Sequence, residues 1–502
     1  MELLTERYKN KIKGVLSCYD RIVITGTLPE LCYAQGMTSY LYSKKVRVFD
    51  YAKFVEPFRE EIRENAERLA SENGIEIEFI RKPQKIRKES VVQKILDKRG
   101  SHPGLVHILS VMEACPSYKP WHDKLANKTY LRGVQGKCLH YYFYFVDQVL
   151  GLCYVRVPTW CPFRLQIYFN GHNWLASKLD VAGIEYELAD NAFIELGDWE
   201  KAQQLSDSLE VKELHDALNR FAQTYCPVFK HFGQVYHWSI MQAEYATDIA
   251  FKRQSSLQQI YGNLVETAIH SVKPDNISTF LGRKLHVNYQ GEMGNRYNVR
   301  IEGSRIKHHM GKNSIKMYDK FSQILRIETT TNDVSFFKHY RSVEHRDGTS
   351  SKKWAVMKKN IYSLAPLKEC LHNANRRYLE FISAIEDKAI PTKRLDKVTR
   401  TVQDKGRNYK GFNFFHGQDR DLFKALAAGE FNISGFKSKD LQKRLPDKSP
   451  SQVYRLIKRL RLHGIIRKAR NTYKYYLTKL GKVTILNALK VKELVLVPSY
   501  SY

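Results

Sequence analysis

The sequence predicts an α+β, multidomain chain: a mixed α/β N-terminal part, an antiparallel β meander in the middle, and a basic helical module closed by a hairpin at the C-terminal end. Three observations predict it. At 502 residues the chain exceeds what one core fills, since single cores stop growing at roughly 250–300 residues. Its hydrophobic period changes along the chain, from alternating strand and helix patterns, to a run of short period-2 segments, to helical stripes. Lys and Arg outnumber Asp and Glu by 82 to 52, a net charge of +30, while 43% hydrophobic and 12% aromatic residues supply enough apolar surface for cores. That content excludes a disordered polycation.

Residues 1–100 read as an α/β domain. Asp20 to Thr25 is a short apolar strand, Lys53 to Asn73 a helix stopped by Gly74, and Ile75 to Ile80 a second strand. The loop that follows, Arg81 to Lys88, places Arg81, Lys82, Lys85, Arg87 and Lys88 within eight residues, either a solvated face or a set of phosphate contacts. Residues 101–290 are β-rich and then helical. Strands are expected at Gly104 to Met112, Cys138 to Val146, Leu152 to Val157 and Phe163 to Phe169, with a hairpin turn at Asp147 to Gly151. Within them Tyr141 to Phe145 is unbroken aromatic, so one row belongs to a core and the other is free to stack on unpaired bases. Helices are expected at Trp174 to Ala182, Asp198 to Tyr225 and Trp238 to Tyr261, the last carrying Gln242, Glu244, Asp248, Lys252 and Arg253. Residues 291–390 hold a meander, Tyr297 to Glu302, Ser304 to Met310, Ser314 to Lys320 and Ile324 to Thr331, followed by a helix from Leu364 to Ala389. Residues 391–415 read as a basic linker.

Residues 416–502 carry the clearest pattern. Gln418 to Ala428 forms an amphipathic helix with Leu422, Phe423 and Leu426 at core spacing, and Ser438 caps a second helix stopped by Pro446. Ser449 and Pro450 then open a third, on which Val453, Leu456, Ile457 and Leu460 fall on one stripe. Its other side presents Gln452, Arg455, Lys458, Arg459 and Arg461. A hairpin follows with Arg467, Lys468, Arg470 and Lys474, and between 437 and 479 fourteen Lys and Arg face only Asp440 and Asp447. This order of helices and hairpin resembles the winged helix-turn-helix of MarR-like bacterial regulators. The resemblance implies a third helix in a major groove, base readout by Gln452 and Arg455, and a wing on phosphates.

In the meander, strand alternation puts Lys316 and Tyr318 on one face and Arg326 with Glu328 on the next strand, near His308 or His309. A tyrosine nucleophile, a carboxylate, an imidazole and cations are the parts of phosphodiester chemistry, with Mg2+ or Mn2+ as the expected cofactor if strands are cleaved. The run Ile315 to Lys320 followed by Leu325 to Glu328 is similar to rolling-circle replication initiators of plasmids and phages. That similarity implies a Tyr318-centred nicking site with Lys316, Arg326, Glu328 and His308 around it. Cross-strand ion pairing is the competing reading. The body as a whole, in YDRIVITGTL, ACPSYK and CPFRLQIYFNGHNWLASKLDVAGI, resembles an uncharacterised multi-copy bacterial family of mobile-element type.

Other chemistries are excluded by what the sequence lacks. There is no phosphate loop, no dinucleotide fingerprint after a strand, and no His-Glu-x-x-His. None of the eight cysteines forms a Cys-x-x-Cys pair, so reduced buried thiols are expected and zinc is not. With no apolar span of about 20 residues and no apolar leader, a cytoplasmic, nucleoid-associated protein with no membrane contact is expected. The expected partner is DNA or a structured RNA. The alternatives are a non-enzymatic regulator and an RNA-binding ribonucleoprotein partner.

Overall fold

The computed structural model describes residues 3–81, 87–286, 288–300, 303–385, 398–414, 416–469, 472–478, 480–482 and 484–485. The first elements are α1 (Leu4–Arg7), β1 (Ile12–Thr27), α2 (Ala34–Ser43), α3 (Tyr51–Glu72), β2 (Ile77–Phe79), α4 (Lys88–Arg99), β3 (Gly104–Asp123), β4 (Lys128–Asp147), β5 (Gly151–Pro158) and β6 (Leu165–Asn170). Next come α5 (Gly171–Ala182), β7 (Tyr186–Ala189), β8 (Ala192–Leu196), α6 (Trp199–Asp207), α7 (Val211–Tyr225), β9 (His237–Phe251), α8 (Gln254–Ser271), α9 (Pro274–Phe280), β10 (Met293–Arg300), β11 (Gly303–Met310), β12 (Asn313–Lys320) and β13 (Ile324–Thr331). The last are β14 (Lys338–Glu344), β15 (Ser350–Val356), α10 (Leu364–Ile385), β16 (Val402–Asp404), β17 (Arg407–Tyr409), α11 (Gly417–Leu426), α12 (Gly429–Ser434), α13 (Ser438–Arg444), α14 (Pro450–Leu462), β18 (Ile466–Lys468) and β19 (Tyr475–Leu477).

The chain forms two compact units, neither of them a continuous stretch. One, the meander unit, gathers Met1–Leu16, Ala246–Thr330 and Glu369–Tyr502; the other gathers Ser17–Tyr245 and Thr331–Lys368. The divisions at 16/17 and 245/246 fall inside β1 and β9, so strand interiors, not loops, mark them. Boundaries sought in Pro- and Gly-rich stretches miss these for that reason.

In the larger unit the strands run in the order β1-β6-β5-β4-β3-β2, antiparallel except for β2 on β3. β3 and β4 are 20 residues each, far longer than the expected strands, and continue as a two-stranded ribbon past their pairing with β2 and β5. The aromatic run on β4 is core on both faces. Phe143 and Phe145 stack on Tyr225 at 4.9 and 5.0 Å, while Tyr142 and Tyr144 pack on Tyr154 with Val92 of α4. Tyr141 to Phe145 are all under 8% exposed, so neither row meets solvent. The hydrophobic effect of two covering layers removes the base-stacking role expected for this strand.

In the meander unit the order is β10-β11-β12-β13, with β9 beyond β13. The register on β11 pairs Lys307 with Lys316, Arg305 with Tyr318 and His308 with Ile315. One face, carrying Ile306, His308, Ile315, Met317 and Ile327, packs under α10 and α9 through Tyr378, Ile382 and Phe280. β13 is buried along its whole length.

Three expected elements differ. The segment expected as a helix from Trp238 to Tyr261 is β9 followed by α8; Met241 to Glu244 are good helix formers, and strand pairing overrides that preference. The expected linker, where described, holds the β16–β17 hairpin, and Val398 and Phe412 on either side of it are core. Pro391 lies outside the described residues. The helix expected across Asp198 to Tyr225 is broken into α6 and α7 at residues 208–210.

Candidate functional site

The C-terminal segment folds as α11, α12, α13 and α14 followed by the β18–β19 hairpin; α12 is not among the expected helices, and Ser438, expected as a cap, is instead the first residue of α13. Leu422, Phe423 and Leu426 of α11, Leu441 of α13 and Val453, Ile457 and Leu460 of α14 form one core with Phe412, Ile465, Ile466 and Leu477. Ser449 caps α14: its Oγ accepts from the Gln452 amide at 3.3 Å, and Gln452 Oε1 accepts from the Ser449 amide at 2.8 Å. The reciprocal cap occupies the carbonyl of a side chain assigned to base readout.

Burying one stripe of α14 leaves the others at the surface. Gln452, Arg455 and Arg461 are exposed, as are Arg467 and Lys468 on the hairpin. Tyr454, beside Arg455, is 65% exposed, and sequence reasoning missed it because tyrosine is neutral in a charge census. Three expected contacts are engaged internally. Arg459 donates to both oxygens of Asp419 at 2.7 and 3.0 Å, to the carbonyls of Lys410 and Gly411, and lies 3.9 Å over the Phe412 ring. Lys458 pairs with Asp404 at 3.0 Å, and Lys474 donates to the Ser434 carbonyl at 3.3 Å. Arg459 is therefore a clamp between α14 and the segment before α11, and no longer a phosphate contact. Arg470 lies outside the described residues.

The five meander residues separate into three places. Glu328, 2% exposed, accepts from Tyr318 Oη at 2.6 Å through Oε2 and pairs with Lys316 Nζ through Oε1. These three form one cluster on the face that strand alternation predicts. Arg326 shares that face but is fully buried, with Nε and Nη2 each 2.6 Å from the two oxygens of Asp248 on β9. Such a bidentate pair is a structural tie, which corrects its expected catalytic place. His308 is on the opposite face, fully buried, with Nδ1 2.8 Å from Asn295 Oδ1 and Nε2 2.9 Å from Tyr378 Oη. Burial pulls its pKa down to about 3. A neutral imidazole under α10 cannot reach Tyr318, so His308 leaves the site.

In the other unit the basic loop is only partly open. Arg81 and Arg87 are exposed, and Lys82 and Lys85 lie outside the described residues. Lys88 instead pairs with Glu113 at 2.8 Å and lies 3.5 Å over the Tyr142 ring. Burial would raise the Glu113 pKa, yet the hydrogen bonds from Lys88 and Tyr142, with Arg156 at 2.8 Å, hold it at about 2.

The same unit contains a carboxylate pair that the sequence reading did not assign. Oxygens of Asp20 on β1 and Glu244 on β9 lie within 4.8 Å of one another. Asp20 is 3% exposed and is held by the amides of Asn191 at 2.6 and 2.8 Å and Asn170 at 3.1 Å, with His172 Nδ1 at 3.2 Å. Gly171 permits this: a Cβ there would stand 2.1 Å from the Tyr19 carbonyl, so only glycine lets the β6–α5 turn press Asn170 and His172 against β1. Two carboxylates are the protein ligand set that Mg2+ takes before substrate oxygens and water complete its shell. An acid inside an apolar strand, Tyr-Asp-Arg-Ile-Val-Ile, was the available clue.

Among the described residues no helix is long and apolar enough to cross a membrane. Comparison with protein-family models, with curated proteins and with solved structures returned no match to this chain.

Proposed function

We propose that the protein binds nucleic acid, DNA or a structured RNA, through residues 416–485 acting as a winged helix-turn-helix. The observation that carries the reading is the exposed set Gln452, Tyr454, Arg455 and Arg461 on a helix whose other side is core, continued by Arg467 and Lys468 on the hairpin. Exposed guanidinium groups gathered on one helix and the adjoining hairpin form a positive patch, and the net charge of +30 favours a polyanion. Fluorescence anisotropy with labelled duplexes at several salt concentrations tests this. Arg455→Ala should cost about 1–3 kcal/mol at its cognate base, and Lys468→Ala should lower the salt slope by about 1. No binding by the wild-type protein at low salt would end the reading.

A second reading, strand cleavage, is favoured by the Tyr318–Glu328 hydrogen bond. In this reading Glu328 takes the phenol proton as Tyr318 Oη attacks phosphorus, forming a phosphotyrosyl bond and breaking the bond to the strand-end oxygen, which leaves with a proton from water, and Lys316 offsets the charge. Asp20 and Glu244 are the residues that would hold Mg2+ or Mn2+ in their unit, where the ion would act as a Lewis acid toward a phosphate. Incubation of a single strand with Mn2+ should yield a protein-linked product that Tyr318→Phe abolishes with binding retained. Cleavage that survives this substitution removes Tyr318 from the chemistry, and no cleavage at all leaves a non-enzymatic regulator.

A further inference from the structure

β14 and β15 form a two-stranded ribbon of their own in the larger unit. Its root is fixed: Phe337 and Met357 are buried, and the Met357 amide donates to the Phe337 carbonyl at 2.9 Å. Beyond the root the register sets Tyr340 opposite Trp354. Their rings are 6.3 Å apart and tilted by 60°. They are 59% and 69% exposed, and Val356 on the same face is 44% exposed. Alternation along the strands puts Lys338 and Lys352, both exposed, on that face.

Large aromatic rings normally supply core or interface area, and exposing them costs the hydrophobic stabilisation of their burial. An uncovered Trp–Tyr pair on a rigid root therefore marks a contact surface. The other strongly exposed tryptophan is less available: Trp121, on β3, already has the Arg132 guanidinium 4.4 Å over it. Charge selects the occupant. From 338 to 356 the ribbon carries Lys338, Arg341, Arg346, Lys352 and Lys353 against Glu344 and Asp347. Aromatic faces flanked by ammonium groups match a chain of unpaired bases joined by phosphates, because every base has a π-face and every linkage a charge.

We propose that the β14–β15 ribbon is a second, single-strand-specific nucleic-acid contact, on which unpaired bases stack on Trp354 and Tyr340 while Lys338 and Lys352 meet the backbone. The proposal rests on the nucleic-acid reading above but names a different surface and a different ligand form. It adds recognition of unwound or looped strands to the duplex contact of the C-terminal module.

The test uses the full-length protein and a single-stranded oligonucleotide of about ten nucleotides, followed by tryptophan quenching and anisotropy. Trp354→Ala should weaken single-strand binding by about 5- to 100-fold and remove part of the quenching, while Trp354→Tyr keeps most of the affinity. Duplex affinity should not move, and circular dichroism should show an unchanged fold, since the indole is mostly in solvent. Wild-type single-strand affinity in the Trp354→Ala/Tyr340→Ala double variant overturns the ribbon contact, even where Arg455→Ala still lowers duplex affinity and so supports the module. Absence of binding to either form by the wild-type protein ends both readings. A shift from dimer to monomer on Trp354→Ala, with single-strand affinity unchanged, would assign the face to a second copy of the chain instead.

Discussion

Replacing Arg326 by methionine separates a structural tie from a catalytic group. The guanidinium has no solvent exposure and meets Asp248, itself 3% exposed on its side chain, through two contacts of 2.6 Å. Methionine matches much of the stem but leaves a carboxylate in a site that water does not reach. Removing one partner of a buried pair costs about 3–5 kcal/mol, because the remaining charge is uncompensated, whereas replacing both by apolar groups is often near neutral. Arg326→Met should therefore lower the stability of the meander unit by roughly 4 kcal/mol, and Arg326→Met/Asp248→Leu should recover most of it. With a urea dependence of about 2–3 kcal/mol per molar, the single substitution moves the midpoint by roughly 1–2 M. All six tryptophans, 121, 160, 174, 199, 238 and 354, belong to the other unit. The measurement is therefore hydrogen exchange of peptides from 303–330 across a urea series, with tryptophan emission as the internal control. A loss below about 1 kcal/mol, or a double variant no better than the single one, would refute the argument.

Three further outcomes follow from the same geometry. Arg459→Ala should destabilise the C-terminal module by about 2–4 kcal/mol, since it strands Asp419 and uncovers Phe412, yet leave the salt slope of duplex binding unchanged in the folded protein; a fall of about 1 in that slope would return Arg459 to the interface. His308 has its pKa lowered from the usual 6.5 to about 3, so the unfolded chain binds the proton more readily. The stability it supports is complete above about pH 6.5 and is lost as pH falls toward 3; protection factors in β11, exchange rates divided by their intrinsic values at each pH, that stay constant across that window would contradict this. Phe143→Ala should cost about 3–5 kcal/mol by opening a cavity beneath α7 and leave oligonucleotide affinity unchanged, and a loss of affinity without a loss of stability would put the β4 aromatics back at the surface.

Much of the local structure is legible because it depends on nearest neighbours. The four meander strands, the turn at Asp147 to Gly151, the three C-terminal helices and the Ser449 cap follow from period and turn chemistry and are present within a few residues of expectation, whereas Ser438, expected as a cap, is the first residue of its helix. The Lys316, Tyr318 and Glu328 cluster is likewise a consequence of alternation on adjacent strands. What sequence could not supply is the second layer. Alternation placed His308 and His309 on opposite faces, but only α10, arriving 70 residues later through Tyr378, decides that His308 is roofed over. Arg326 and Arg459 looked like functional cations because the acids that neutralise them, Asp248 and Asp419, are 78 and 40 residues away. Asp20 and Glu244 escaped for the same reason: they stand on two strands more than 200 residues apart in sequence, and only the neighbourhood of β1 and β9 makes them a pair. The ribbon aromatics were invisible because Trp and Tyr in alternating strands ordinarily predict burial.

The noncontiguous make-up of the meander unit has a consequence for synthesis. β11, β12 and β13 are complete by residue 331, but the groups that satisfy their buried side, Asn375 for Thr329 at 2.6 Å and Tyr378 for His308 at 2.9 Å, are encoded about 45 codons later. At roughly 5–20 residues per second the ribosome leaves that sheet face without its α10 cover for some 2–9 s. During that interval a nascent chain has α9 but not α10 over Ile315, Met317 and Ile327, which makes this the window in which a chaperone, or a neighbouring nascent copy, has access to the part that α10 covers.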